Sequence, residues 1–448
     1  MLGKPPCSWT CEDLVDLYRD KGLRLVSLMH VGGDGWLKTV DFVPRGAEHL
    51  YDILSAGERA DGSSLFAGTG IRPDRSDILL RPRPQTAFCD PFSPHPTLVL
   101  LCGHAGRDGA PLPESPDTIV HKADAAVREQ TGIELLALGE VEYFLGRRST
   151  ERDIYGSSDR GYHASSPFVF GEALRREAMR VLAEIGVPVK YGHSEVGYIQ
   201  AAETEGIIWE QHEIELALTP LPQAADAVVL TQWVLRNLAH RHDMLCSFDP
   251  IMRRGHAGSG LHFHFSPTID GRHLGCRDTD GQLHDPARWL IGGLVQLGAA
   301  LMAFGNRVEG SLVRLHQAKE APAAVAWGEC DRSALVRLPI LATNEHGAAV
   351  TAPTIEFRLP DGSAHPYLLL AGVAQALLAG RETRDLDSLL EATASIRGGG
   401  PDTSRVTKLP RTLAAVSQQL ATHRARFEES AVFPPHMLDA LVQSTTLG

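Results

Sequence analysis

The sequence has few features that would place it outside the cell or in a membrane. Its seven cysteines are odd in number and scattered, and no two form a CxxC pair, unlike the framework of a secreted disulfide-bonded protein. No apolar stretch typical of a signal peptide lies near the N-terminus. The longest apolar run, 289–305, contains Gln296 and four glycines, so we expect a buried helix rather than a membrane span. We therefore expect a cytoplasmic protein.

Basic residues are also scarce. The chain has 43 lysines and arginines against 55 acidic residues, a formal net charge of -12. Nucleic acids and anionic membranes select for clustered basic side chains, so we expect neither as a partner. A Walker phosphate-binding loop and a kinase-type glycine loop are both absent from the sequence, so it gives no support for a standard nucleotide-binding fold.

The length and the turn-forming residues predict the domain organisation. The chain of 448 residues is long enough for two or three domains and a large core. Short β-like runs precede residue 110, and the stretch 106–117 is rich in Gly, Pro and acidic residues, as linkers are. We expect a small sheet-rich domain over 1–110 and a larger α+β domain, with alternating helices and strands, over 111–448. The predicted helices lie at 11–22, 116–131, 172–185, 222–241, 286–305, 365–380 and 410–426, and the predicted strands of the larger domain include 334–341 and 353–359.

Four predicted strands carry charged or imidazole side chains at alternate positions. The pairs are Glu140 and Glu142, Glu213 and Glu215, His262 and His264, and Glu356 and Arg358. Strand side chains alternate between two faces, so each pair shares one face. Solvated faces are the usual cause of such alternation, but they carry mixtures of Lys, Thr and Ser. Clustered carboxylates repel one another unless a cation lies among them. Oxygen ligands with an occasional imidazole suit Mg²⁺ or Mn²⁺, so we predict a metal-binding sheet face.

Four arginines in apolar surroundings complement this acidic face. They are Arg314, Arg332, Arg337 and Arg358. A buried guanidinium needs an anionic partner, and carboxylate and phosphate match its geometry. For any single arginine a structural salt bridge explains the pattern equally well. Metals opposite arginines are typical of phosphoryl transfer, in which charge on a moving phosphoryl group must be neutralised.

Eleven segments, in order and with similar spacing, resemble the glutamine synthetase family over nearly the whole chain. They are WLKTVDFVP, DGSS with SDILLRP, TAFCDPF, GEVEYF, HSEV, EQHEIE, GSGLHFH, LVRL, KEAP, DRSALVRLP and IEFRLPDGSAHPYL. Members of that family join a carboxylate to an amine at the expense of ATP, through an acyl-phosphate. The resemblance implies an N-terminal β-grasp domain and a catalytic domain built on a curved antiparallel sheet flanked by helices. It also implies a homo-oligomer, usually a dodecamer, with active sites between subunits.

The resemblance also implies roles for individual residues. Glu142, Glu195 and Glu213 would hold the metal that faces the acid substrate, and Glu140, His262 and Glu356 the metal that bridges the ATP phosphates. Two or three Mg²⁺ or Mn²⁺ ions per site are expected. Arg314 and Gly258 would bind the acid, and Arg358 would contact the acid and the transferred phosphoryl. Arg332 and Arg337 would bind phosphate, with Ser266 and Arg337 beside the nucleotide. Asp61 of a neighbouring subunit would bind the ammonium, and Glu320 in a closing flap would help to deprotonate it.

The sequence departs from the family pattern around the acid and amine substrates. The loop before the metal-binding histidine has Ala257 where the family usually has Asn. A segment of about ten extra residues, within 197–209, follows HSEV. TAPT at 351–354 replaces basic residues near the nucleotide. The metal and phosphate motifs are intact, so the pattern favours a member that uses another amine, or another acid, in place of free ammonia.

Three alternatives remain open at this stage. Ordinary glutamine synthesis from ammonia is the first. A non-catalytic oligomeric relative is the second, although such proteins normally lose metal ligands and all six expected ligands are present. The third is phosphoryl transfer to a guanidino acceptor, which the predicted β-grasp domain and DGSS motif disfavour.

Overall fold

The computed structural model describes residues 3–67, 69, 71, 74, 76–150, 153, 159–278, 280–317, 321–322, 324–346, 349–395 and 407–446. The chain divides into two compact units. One consists of Met1–Ile119, Glu184–Gly186 and Phe433–Ala440, and the other of Val120–Ala183, Val187–Val432 and Leu441–Gly448. The domain boundary expected near residue 110 and the β-grasp assignment stay predictions.

The described residues of the first unit up to residue 105 form a mixed sheet and three α-helices. Its strands are β1 (Leu25–Val31), β2 (Leu37–Phe42), β3 (Glu58–Asp61), β4 (Asp77–Pro82), β5 (Phe88–Cys89) and β6 (Thr97–Ala105), and its helices are α1 (Cys11–Lys21), α2 (Ala47–Ala56) and α3 (Gly62–Leu65). The strand order is β2–β1–β6–β4–β3, with β5 beside β6. Strands β1 and β6 are parallel, and the other pairs are antiparallel.

Helix α1 begins and ends at residues that favour helix termini. The side chain of Thr10 accepts a hydrogen bond from the backbone of Asp13, whose carboxylate accepts one from the backbone of Thr10, forming a capping box. Gly22 ends the helix with φ of 59°, in the left-handed region that glycine adopts without strain. Leu14 and Leu17 on the inner face join the core beneath the sheet.

Two histidines are buried side by side on β1 and β6. Nδ1 of His30 lies 3.1 Å from Nε2 of His104, whose own Nδ1 lies 2.8 Å from Oγ of Ser115. Burial lowers the pKa of His30 to about 4 and that of His104 to about 3. Both imidazoles are therefore neutral in the folded unit at neutral pH.

We expect the free energy of unfolding to fall as the pH drops from about 6.5 towards 4. In this window the unfolded histidines bind protons and the folded ones do not, so acid favours the unfolded state. Each depressed histidine costs roughly 2 kcal/mol at pH 5 relative to pH 7. Denaturant titrations at both pH values should show a smaller pH effect in His30→Gln than in the parent. The exposed His95→Gln should behave like the parent. An equal pH effect in all three proteins would contradict this account.

From residue 116 onwards the chain alternates between helices and strands. The helices are α4 (Pro116–Thr131), α5 (Glu172–Glu184), α6 (Leu221–Arg241), α7 (Asp285–Gly305), α8 (Glu309–Gln317), α9 (Pro366–Arg381), α10 (Leu386–Thr393), α11 (Leu413–Glu428) and α12 (Pro435–Thr446). The strands are β7 (Glu134–Arg148), β8 (Val189–Ile199), β9 (Ile207–Leu216), β10 (Thr219–Pro220), β11 (Leu245–Ser247), β12 (Leu261–Ile269), β13 (Arg272–His273), β14 (Trp327–Glu329), β15 (Val336–Leu338) and β16 (Ile355–Phe357).

Strand β7 pairs with more strands than any other described strand of the large sheet. The described strands follow the order β14–β15–β16–β12–β7–β9–β8, and β10 and β11 also pair with β7. Only β14 and β15 pair in parallel among these strands. Helix α6 packs on β7, so Val141 and Tyr143 on that side of the strand are buried. Glu140 and Glu142 occupy the opposite side. This curled sheet with flanking helices is the α+β class that the resemblance implies.

The longest apolar run folds into α7. By length and composition this helix could cross a membrane, but 78% of its most apolar window is buried inside the protein, where it packs against α9. A Cβ on Gly293 would lie 1.7 Å from the carbonyl oxygen of Ala376, and one on Gly380 would lie 1.9 Å from that of Trp289. Glycine at both positions therefore lets the two helices approach closely. The expectation of a buried helix is confirmed.

The extra segment at 197–209 extends a β-hairpin. Tyr198 and Ile199 of β8 pair with Glu210 and Trp209 of β9, and a short turn joins the two strands. The register shifts on β8 before this extension begins, which is typical of a β-bulge. Residues 197–209 therefore form the outer end of the β8–β9 hairpin, beyond the register shift.

Two strands are shorter than the sequence predicts. We expected strands at 334–341 and 353–359, and both β15 and β16 contain only three residues. Pro339 directly follows β15, and Pro353 and Pro360 flank β16. Proline has no N–H group for the ladder, so each of these segments leaves the sheet early. Five helices, α2, α3, α8, α10 and α12, were not predicted.

Candidate metal and phosphoryl-transfer site

The strand register collects the alternating polar residues on one continuous face. Glu140 of β7 lies opposite Glu215 of β9 and His262 of β12, and Glu142 lies opposite Glu213. Directly paired residues of adjacent strands point to the same side of a sheet. The polar residues that alternate along these strands thus form one continuous acidic surface.

The first candidate metal site, called the His262 site, consists of Glu140, His262 and Glu356, each with a ligand atom within 4.8 Å of the others. Nδ1 of His262 lies 3.1 Å from Oε2 of Glu140 and 3.8 Å from Oε1 of Glu356. His264 contacts the other oxygen of Glu140 at 2.9 Å. Burial would raise the pKa of Glu140, but the imidazoles of His264 and His262 outweigh it and hold that pKa well below its usual value. These three donors are the ones expected to share a metal.

The second candidate, called the His193 site, consists of His193, Glu195 and Glu213. The His193 ring lies between the carboxylates, 3.4 Å from Oε1 of Glu213 and 3.7 Å from Oε1 of Glu195. Glu195 lies in the bulge between Ser194 and Tyr198. Glu195 has the strand parity of His193, so regular alternation along β8 directs both side chains to the face that carries Glu213.

Glu142, expected to share a metal with Glu195 and Glu213, borders both sites. Its Oε1 lies 3.7 Å from Nδ1 of His262. Its Oε2 accepts hydrogen bonds of 2.9 Å from Nε2 of Gln211 and from the backbone of Gly260. One oxygen is thus held by the protein and the other faces the His262 site. Its role as a ligand stays a prediction.

Four neighbouring carboxylates on this face repel the carboxylate of Glu213. Burial raises its pKa well above the usual value, and the neighbouring Glu140, Glu142, Glu195 and Glu215 raise it further. A divalent cation would remove the repulsion, and carboxylates with one imidazole suit a hard cation. The two sites therefore fit the metals that the sequence predicts.

Two of the predicted arginines, Arg337 and Arg358, contact one metal-site carboxylate, and a third, Arg332, lies nearby. Nη1 of Arg358 donates to Oε1 of Glu356 at 2.5 Å, and Nη1 of Arg337 lies 3.0 Å from Oε2. Nε of Arg358 donates to the carbonyl of Arg332, a residue that lines the cavity containing both metal sites. Oε2 of Glu356 has this ion pair but no well-aligned hydrogen bond. A lone pair on that oxygen is therefore available to a cation.

Arg314 is buried beside the His262 site. Its Nη1 donates to the carbonyl of Leu359 at 2.9 Å, and its Nη2 lies 3.2 Å from Nε2 of His262. Burial lowers its pKa. A Cβ on Gly260 would lie 2.9 Å from Nη2 of Arg314 and 2.4 Å from Nε2 of His262. Glycine at 260 thus makes room for the guanidinium expected to bind the acid.

Two adjoining cavities meet at these residues. The smaller, of about 160 Å³, contains both metal sites, the four arginines and Gly258, and the larger has about 590 Å³. Glu140, Tyr191 and Arg337 line both. Ser266, expected beside the nucleotide, is fully buried and donates to the carbonyl of Pro353, a residue that lines the larger cavity.

Two predicted site residues are not part of this cluster. Asp61 belongs to the first unit, where it is exposed and caps α3. Its carboxylate accepts hydrogen bonds from Ser64 and Ser63, which lower its pKa to about 2. Glu320 lies outside the described residues, as does Lys319 of the same motif. The roles of Asp61 and Glu320 stay predictions.

Sequence reasoning missed three residues that line the smaller cavity, Tyr162, Tyr191 and Gln211. Tyr191 has the strand parity of His193, and Gln211 has that of Glu213, so a longer reading of the alternation would have included both. Tyr162 lies in a loop without periodicity, and no pattern in the sequence marks it.

Residues 114–446 match the family description "Glutamine synthetase, catalytic domain". The chain belongs to the glutamine synthetase family. A glutamine synthetase of Azospirillum brasilense is 30% identical over 380 residues, covering 76% of this chain and 77% of that protein. Two solved structures share the fold. Plasmodium falciparum glutamine synthetase matches with a TM-score of 0.81 at 18% identity, covering 98% of this chain and 95% of that one. GmaS without ligand matches with a TM-score of 0.77 at 20% identity, covering 97% and 95%.

The family assignment confirms two expectations. The fold is the α+β fold of glutamine synthetases, and the protein is an ATP-dependent carboxylate–amine ligase of the EC 6.3.1 type. This family depends on ATP and divalent metal ions, and the grouped donors of the His262 and His193 sites agree with that dependence.

We expect Glu213→Gln to separate stability from activity. The change removes one carboxylate from a repelling set, so in a chelator the variant should unfold at the same temperature as the parent or higher. Excess Mn²⁺ should stabilise it less than the parent, and ligase turnover should fall about 100-fold or more. Thermal unfolding with and without Mn²⁺, and phosphate release, measure these effects.

The control is Glu345→Gln, which removes a carboxylate that is 86% exposed. Glu345→Gln should match the parent in thermal unfolding, with and without Mn²⁺, and in phosphate release. Normal turnover in Glu213→Gln would show that this carboxylate holds no essential metal.

Proposed function

We propose that this enzyme joins the γ-carboxylate of glutamate, or of a related acid, to an organic amine through an acyl-phosphate formed with ATP. The observation that supports an organic amine as the second substrate is a cluster of aromatic and imidazole rings at the His193 site. An ammonium ion requires only anionic and polar partners. An alkylammonium ion also has apolar surface, which aromatic rings can cover while they attract its charge.

The ring cluster consists of Tyr162, His163, Tyr191 and His193. Tyr162 stacks on His163 with centroids 4.3 Å apart, and Tyr162 and Tyr191 both contact the His193 ring, at 5.4 Å and 6.0 Å. Both tyrosines line the smaller cavity and remain 47% and 43% exposed. They are therefore open to a ligand at the point where the carboxylates of Glu195 and its neighbours would attract a cation.

The charged residues support a division of roles around this cluster. Arg314 would hold the carboxylate of the acid, and Arg337 and Arg358 would neutralise the transferred phosphoryl group. Two or three Mg²⁺ or Mn²⁺ ions, held by the His262 site and by the His193 site with Glu142, would supply further positive charge against the phosphates. Exclusion of water would protect the acyl-phosphate from hydrolysis.

Other parts of the proposal rest on the resemblance. Asp61 from a neighbouring subunit and Glu320 would bind and deprotonate the amine. Residues 1–110 would form a β-grasp domain that completes the site of the next subunit. The protein would then act as a homo-oligomer, with a dodecamer as the expected form, in the cytoplasm.

Ammonia is the competing amine. Ala257 lines the smaller cavity at a position where the family usually has Asn, which supports an altered substrate rather than ordinary glutamine synthesis. The family assignment disfavours a guanidino kinase, and the presence of all six predicted ligands disfavours a non-catalytic relative.

A panel of amines tests the proposal directly. With glutamate and ATP, phosphate release should show at least one of methylamine, ethylamine, ethanolamine and putrescine exceeding ammonium in kcat/KM. Tyr191→Ala should lower kcat/KM for the preferred organic amine about 5- to 30-fold, the range expected from loss of a cation–π contact. Its kcat/KM for ammonium should change by less than about twofold.

Tyr191→Phe is the matched control. It keeps the ring and removes the hydroxyl that contacts Glu215, so it should retain the preference of the parent. The proposal fails if ammonium exceeds every organic amine in kcat/KM, or if Tyr191→Ala weakens all amines equally.

A further inference from the structure

The tip of the extended hairpin, residues 200–206, is attached to the loop that precedes β12. We call residues 253–260 the glycine loop. Nη1 of Arg253 donates to the carbonyl of Glu203, and its Nε lies 3.3 Å from Oε2 of the same residue. Nε2 of His256 lies 3.0 Å from that oxygen. One carboxylate at the hairpin tip thus contacts two basic side chains of the glycine loop.

The His256 ring is enclosed between two carboxylates. It is only 9% exposed, and its Nδ1 lies 3.5 Å from Oδ1 of Asp159, which accepts a hydrogen bond from the backbone of Tyr198. The hydrogen bond with His256 lowers the pKa of Glu203, so that carboxylate is charged at neutral pH. The imidazole of His256, in the glycine loop, therefore contacts both Glu203 at the hairpin tip and Asp159 of a third segment.

The glycine loop forms one wall of the smaller cavity. Ala257, Gly258 and Gly260 line it, and the carbonyl of Gly258 accepts a hydrogen bond from Gln211 at 3.0 Å. Gly260 lies against the guanidinium of Arg314. A displaced loop would therefore move the wall beside the group that binds the acid.

We propose that Glu203 is a positioning residue through which the hairpin tip holds the glycine loop in place and so sets the shape of the acid subsite. Glu203 itself is not among the described residues that line the cavity, so it acts through Arg253 and His256. The inference rests on the proposed function only in placing the acid beside Arg314, and it holds for any amine.

Steady-state kinetics of Glu203→Ala test this role. With L-glutamate as the acid, ATP, and whichever amine gives the fastest turnover, KM for L-glutamate should rise about tenfold, since small misplacements in a site cost this much or more. We expect kcat and KM for ATP to stay within about twofold of the parent. Glu203→Gln should recover much of the loss, because its amide oxygen can still accept from His256.

Glu205→Ala is the matched control, since Glu205 is an exposed carboxylate at the same hairpin tip, and it should behave like the parent. A structural role alone would raise the KM of acid, ATP and amine together. That result, or an unchanged KM for L-glutamate, would overturn the proposal.

Limited proteolysis tests the role of Glu203 without requiring that the acid substrate be known. Trypsin cleavage after Arg253 or Arg254 should be about tenfold faster in Glu203→Ala than in the parent or in Glu205→Ala, because a released loop opens more often. If the parent does not turn over L-glutamate, the proposed acid substrate is wrong, but the cleavage rates still test the role of Glu203. Equal cleavage rates in the three proteins would overturn the role of Glu203.

Discussion

Repulsion among carboxylates buried on one sheet face is the constraint on which the rest of the site depends. The carboxylates are concentrated around Glu213, whose pKa burial and its acidic neighbours raise. Two imidazoles keep Glu140 ionised, and two arginines contact Glu356. A divalent cation would offset the repulsion around Glu213, so added divalent cations are the natural completion of the site. The formal charge of -12 is therefore in part a local property of this face.

The scaffold maintains this unfavourable arrangement by burying the opposite side of the sheet. Val141 and Tyr143 of β7 pack beneath α6, and α7 and α9 pack closely behind because glycines lie at their contact. Large apolar areas buried there stabilise the fold by far more than one polar cluster costs. The same scaffold holds Gly260 against the guanidinium of Arg314, in the loop that forms one wall of the smaller cavity. The extended hairpin then adds a second support to that wall from outside the central sheet.

Alternation was the strongest signal available from the sequence. It predicts the shared face of Glu140 and Glu142 because strand geometry requires it, and the buried helix α7 follows from its apolar composition. The same alternation applies to His193 and Glu195, but only the resemblance identified Glu195, and the register shift after Ser194 was not predicted. Tyr162 and the contact of Glu203 with the glycine loop depend on tertiary packing between distant segments. Prolines also ended β15 and β16 earlier than the β-forming residues alone suggest.

Counting bound Mn²⁺ tests the central claim most directly. Electron paramagnetic resonance of free Mn²⁺, titrated against the metal-free enzyme without nucleotide, reports how many ions each chain binds. The arrangement of donors predicts at least two ions per chain, because the His262 and His193 sites each offer three ligands within reach of one cation. Binding of one ion or none would contradict the account, since the repulsion around Glu213 would then have to be relieved by protons alone.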